Sequence, residues 1–150
     1  MILLNVVWPT FLLVALVFVM LALMVRARLG HMKVVPPSAS DFTDGTAARA
    51  YFASVDLPAN NIANLFEMPV LYFALVPLLL FTGQAGVAQA LLAWIYVVAR
   101  ILHSHAHVRR LGVPTRFRLF LVSNAVLAAM WIGFFVDMLT AAHAYRGLVG

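Results

Sequence analysis

The chain has no cysteine. That excludes a disulfide framework, a thiolate metal site and a cysteine nucleophile, and leaves the compartment open. Acidic residues are scarce too: five Asp and Glu stand against ten Lys and Arg in 150 residues, and charged side chains make up 10% of the sequence. Soluble domains carry about a quarter charged residues and about half apolar ones. Here 65% of the residues are hydrophobic and the mean hydropathy is +1.00. A soluble fold of this size has no interior able to hide that much apolar surface, whereas a bilayer has. No internal repeat is visible, which argues against a transporter built from inverted repeats. No basic stretch precedes the first apolar run, and that run is longer than a signal peptide's apolar region of ~7–15 residues. It reads as a retained first helix.

What is present is four long apolar stretches. The pattern predicts an all-α integral membrane protein, a single domain over residues 1–150 with four transmembrane helices at about 3–26, 59–81, 87–108 and 116–143. Residues 28–58 hold Pro36, Pro37, Ser38, Ser40, Asp41, Asp44 and Gly45 and read as an extramembrane loop, with a short interfacial helix over Thr46–Ser54. Pro69 and Pro77 are candidate kinks in helix two. The formal charge of +5 does not point to nucleic acid, because the basic residues flank apolar segments. Arg26, Arg28, Lys33, Arg49, Arg109, Arg110, Arg116 and Arg118 fall on one side and Arg146 alone on the other. The positive-inside rule puts the first and third loops in the cytoplasm and both termini outside, in what reads as a bacterial inner membrane.

Polar groups inside these spans need a reason, since an ionisable residue in a bilayer costs roughly 2.5–3.5 kcal/mol on insertion scales. In helix two, Asn60, Asn64 and Glu67 share a face at i, i+4, i+7; in helix three, Arg100, His103 and His107 do so at i, i+3, i+7. Glu67 and Arg100 both lie roughly 12 Å in from the same side at 1.5 Å per residue. They form either a register-fixing ion pair or part of a site. Arg26 and Arg116 close and open their helices at that same end. His103, His107 and Glu67 would make a passable metal set, but Arg100 and Arg116 would repel a cation, so no metal is expected. The excess of guanidinium groups favours an anionic ligand. His105, His143 and Asp137 read as interfacial. Arg109, Arg110 and Arg118 read as topology signals and contacts to lipid headgroups.

These residues resemble a known family. Asn64-Leu65-Phe66-Glu67-Met68-Pro69 resembles the N-x-x-E…P signature in helix two of MAPEG, the membrane-associated proteins in eicosanoid and glutathione metabolism. Arg100-Ile101-Leu102-His103 followed by His107 resembles its helix-three pattern R-x-x-H/Y-x-x-x-Y. Leu111-Gly112-Val113-Pro114-Thr115-Arg116 is similar to the loop and fourth-helix start of the family's prostaglandin E synthases. Arg26 with Arg28, and Pro36-Pro37 beyond them, fit as well. The resemblance spans nearly the whole chain and suggests a prokaryotic-type member. It implies a homotrimer that binds glutathione, as cosubstrate, between subunits near the cytoplasmic face. Arg26, Asn64, Glu67, Arg100, His103 and His107 would then hold the tripeptide, and Arg116 would stabilise its thiolate. A cleft open to the lipid would admit a lipophilic electrophile or hydroperoxide.

The sequence also departs from the family pattern. Asn60-Asn61-Ile62-Ala63 lacks the Arg that many relatives carry there, His107 replaces an aromatic, Phe120 replaces a Tyr, and Pro69 follows Glu67 closely. Two functions follow. One is a glutathione-dependent transferase or peroxidase. The other is a non-catalytic lipid-binding or accessory membrane protein of the same fold. Arg116 and Glu67 favour the first, and the missing helix-two Arg and the Tyr-to-Phe change at Phe120 favour the second.

Overall fold

A computed structural model describes residues 2–149. Its described residues form α1 (Ile2–Val34), a single 3₁₀ turn (Ala39–Phe42), α2 (Gly45–Phe52), α3 (Leu57–Phe66), α4 (Pro69–Phe81), α5 (Val87–Val108) and α6 (Val113–Val149). Four segments are long and apolar enough to cross a membrane: Asn5–Val34, Leu57–Phe81, Val87–Val108 and Val113–Gly147. The architecture is an all-helical four-span bundle. Much of its apolar surface faces outward, as in Phe11, Phe18, Phe81 and Phe135. A membrane supplies the solvent those side chains require.

Two helices are longer than their apolar runs. The first was expected to stop near Arg26 but continues to Val34, and the fourth runs over Val113–Val149 rather than 116–143. Apolarity reports where the bilayer ends, whereas a helix ends only where its backbone hydrogen bonds end. Nothing between Arg26 and Lys33 breaks a helix except Gly30, which is only weakly unfavourable. At 33 residues, α1 is about 50 Å long, well beyond a hydrocarbon core of about 30 Å. The non-helical stretch is therefore shorter than residues 28–58, and most of that segment is folded. Asp44 caps α2 by accepting from the backbone N–H of Thr46 (2.7 Å) and Ala47 (2.9 Å). Tyr51 and Phe52 pack on each other, with His31 and Phe42 beside them, and the Tyr51 hydroxyl donates to the Val35 carbonyl.

Helix two is not continuous. Pro69 has no N–H to offer the Leu65 carbonyl, and in an unbroken helix its ring would crowd that carbonyl. The chain leaves the helix at Glu67 (φ −86°, ψ −94°) and restarts with Pro69 in the first turn of α4, where a proline fits. Pro77 sits within α4 without ending it.

Loops one and three lie at the same end of the bundle. The Arg28 guanidinium bonds Asp56 (2.8 Å), which ties the end of α1 to the start of α3, and its Cζ sits 4.7 Å from the Phe52 ring centre. The Arg110 side chain reaches the Ser54 carbonyl at 3.5 Å. Arg110 also ends α5. It adopts φ 55°, so that Leu111 N–H meets the Ala106 carbonyl (3.0 Å) and Arg110 N–H meets that of His107 (3.2 Å), a left-handed helix stop. At the other end, Gln89 donates to the Met130 carbonyl at 3.0 Å and locks α5 to α6. The approach is close at Gly133, where a Cβ would come 3.1 Å from the Gln89 amide nitrogen and push that side chain aside by a few tenths of an ångström.

Candidate functional site

One face of α5 carries Tyr96, Arg100, His103 and His107, at helical spacing. Tyr96 and Arg100 are fully buried, His103 nearly so and His107 half-buried. The break in helix two explains why a guanidinium tolerates this position. The Asn64 carbonyl would bond the N–H of Met68 in a continuous helix, but the chain turns away one residue earlier. Arg100 Nη2 takes that place and donates to Asn64 O at 2.8 Å. It therefore caps the C-terminal end of α3, where the helix dipole favours a cation. Its Nε and Nη1 have no protein partner.

The expected contact between Glu67 and Arg100 is absent. Among the described residues the one ion pair is Arg28 with Asp56, and Glu67 is exposed at the helix break. The altered backbone at residue 67 turns Glu67 outward while freeing the carbonyl that Arg100 takes.

Above this cap lies an open cavity of about 280 Å³ between α3, α5 and α6, lined by Asn64, His103, His107, Val113, Arg116, Phe117 and Phe120. Arg116 is half-buried and its Nε has no protein partner. His103 Nδ1 is also unpartnered, and the His103 ring stands 6.1 Å from both Phe120 and His107. No carboxylate lines the cavity. The walls offer a guanidinium, an amide, two imidazoles and two aromatic faces. That chemistry suits an anion with an apolar neighbour. Outside the cavity lining, the buried Asn61 accepts from Ser104 at 3.4 Å, with its own Nδ2 unpartnered.

Of the residues singled out in the sequence, Asn64, His103, His107 and Arg116 share the cavity. Arg100 supports Asn64 from below and does not line it. Arg26 is elsewhere, on an exposed groove of α1 with Phe18, Leu21, Val25 and Lys33. Within one chain, Arg26 and Glu67 do not join the others. Val113, Phe117 and Phe120 were not foreseen as lining residues, yet with Arg116 they stand at i, i+3, i+4 and i+7, the face that Arg116 itself marks.

Comparison with known proteins agrees with this architecture. The MAPEG family profile matches residues 6–136. No curated protein and no solved structure gives a significant match.

Proposed function

The chain belongs to the MAPEG family, and from that premise we propose that it is a membrane-bound glutathione-dependent transferase or peroxidase acting on lipophilic electrophiles or hydroperoxides. The observation that carries the proposal is Arg116: a half-buried guanidinium with an unpartnered Nε, on a cavity otherwise walled by Asn64, two histidines and aromatic rings. A thiolate is the anion that such a place rewards. An adjacent guanidinium lowers a thiol's pKa, and the thiolate is the nucleophile.

Arg116 stays protonated at any working pH, so it pairs with the thiolate and cannot act as a base. The thiol's proton leaves to water through the open side of the cavity. The Asn64 amide orients the ligand's polar groups, and His103 and His107 offer further hydrogen bonds. Phe117 and Phe120 keep the sulfur beside an apolar wall against which a lipophilic substrate lies. The thiolate supplies the electron pair that forms the new bond to carbon, or to the distal oxygen of a hydroperoxide, and the substrate's leaving group departs with the electrons of the bond that breaks.

A cavity of about 280 Å³ lies just under the ~300–1,000 Å³ of small-molecule sites, enough for the thiol end of a tripeptide and not its whole length. This favours a site completed by a neighbouring subunit, with Arg26 and Glu67, which face outward, supplied across a homotrimer interface. On this reading loops one and three face the cytoplasm, where a water-soluble thiol arrives, and the termini lie outside.

The test is the ultraviolet thiolate band of glutathione bound to purified protein, titrated across pH. A band near neutral pH that moves to higher pH in Arg116→Ala is the expected result. Its absence in the wild type would favour the second reading, an accessory lipid-binding protein. One observation speaks for that alternative: Phe120 lines the cavity without a hydroxyl to offer a sulfur anion.

A further inference from the structure

On the opposite side of α5 lies a second groove that the thiol site does not use. It occupies about 590 Å³ between α1 and α5, and its lining includes Leu16, Met20, Leu23, Ile101, His105 and Arg109. His105 is two residues on from His103, so it faces the other way round the helix. None of these side chains lines the Arg116 cavity.

The groove has polarity along its length. Its floor is apolar from Leu16 to Leu23, about 10 Å of helix. Its mouth, at the basic end of the bundle, carries Arg109 and His105, both exposed. Arg109 is held there by the end of α5: its backbone N–H bonds the carbonyls of His105 and His107, and Arg110 then turns the chain away. The one ion pair among the described residues is Arg28 with Asp56, so no carboxylate answers the Arg109 guanidinium. An apolar slot open to the bilayer and closed at headgroup level by an unanswered cation matches one class of molecule. Its apolar tail must lie along the helices and its anion must end at the helix termini. Basic pockets between transmembrane helices are places where anionic headgroups bind.

We propose that the α1–α5 groove is a binding site for one anionic phospholipid, with an acyl chain along Leu16, Met20, Leu23 and Ile101 and the phosphate at Arg109 and His105. The guanidinium fork pairs with phosphate oxygens, and the imidazole adds a hydrogen-bonding edge. The site is independent of any reading of the Arg116 cavity.

The experiment uses the purified full chain in detergent, equilibrated with phosphatidylglycerol and phosphatidylcholine of identical acyl chains, with retained lipid counted by native mass spectrometry. Phosphatidylglycerol should be retained in preference, up to one per chain. Arg109→Gln should reduce that preference roughly fivefold, the effect of one basic residue near a membrane surface. Met20→Trp fills the floor without touching the charge and should displace the same lipid. Arg118→Gln, a basic change outside the groove, should leave the count unaltered. Equal retention of the two lipids would overturn the proposal. So would an Arg118→Gln loss as large as that of Arg109→Gln, which would mean general surface charge. Displacement of phosphatidylglycerol by equimolar oleate would overturn it as well, in favour of a fatty-acid site.

Discussion

Arg100 shows how a buried charge can be accommodated without a counter-ion. It meets the unfilled carbonyl of Asn64 at the end of a broken helix, and Glu67 stands outside. If so, neutralising the two residues has independent effects. Glu67→Gln should change stability by no more than about 0.5 kcal/mol, as exposed substitutions do. Arg100→Gln, which leaves Asn64 O unanswered, should cost about 1–3 kcal/mol. In the double variant the two should add to within about 0.5 kcal/mol, measured by unfolding in mixed micelles. A double variant clearly more stable than that sum would restore the ion pair. The face shared by Arg100, His103 and His107 was legible in the sequence because helical period is visible in residue types. The partner of Arg100 was not, since a main-chain carbonyl has no residue type and is freed only by a break that spacing alone passes over.

The break in helix two is also the element on which the cavity depends. Pro69→Ala restores an N–H to Leu65 and permits one straight helix through residue 67. Asn64 would then lose its angle to the cavity. Thiol affinity should fall roughly tenfold, about 1.4 kcal/mol, and because Met68 N–H would then take the Asn64 carbonyl from the buried Arg100 guanidinium, thermal stability should fall as well. Unchanged affinity would show that the break is incidental. The folded loop has its own pH signature. The Asp44 carboxyl accepts from Ala47 and Thr46, and that of Asp41 from the hydroxyl and N–H of Ser38; both sit below the usual carboxylate value for that reason. A lowered folded-state pKa contributes order that is full above the unfolded value near 3.9 and is lost as pH falls through the folded one. The Thr46 and Ala47 amide shifts should therefore titrate together below about pH 4 and stay flat at neutral pH. A midpoint above pH 5 would refute the cap. Four apolar runs announced four spans, and a short helix was expected over Thr46–Ser54 where α2 lies, though not its cap at Asp44. Helix ends at Val34 and Val149 stayed hidden because solvated residues continue a helix as readily as apolar ones do.

Taken whole, the chain is an integral, multi-pass membrane protein of the MAPEG family. A reporter fused after Gly150 should be active only if it requires a non-cytoplasmic compartment. A cytoplasmic signal there would invert the proposed orientation and put the thiol site on the wrong side. Native mass spectrometry in mild detergent should give a trimer, and a monomer alone would count against the proposed site shared between subunits. The anchor of Arg100 bears on how such a molecule changes over generations. An ion pair binds two positions to a common fate, because neither can mutate without stranding the other. A backbone carbonyl makes no such demand, since any residue at position 64 presents the same oxygen. Asn64, Arg116 and Phe120 are thus free to drift toward a new ligand while the helix pair beneath them is inherited intact, so one scaffold can pass between catalysis and mere binding without first having to unfold.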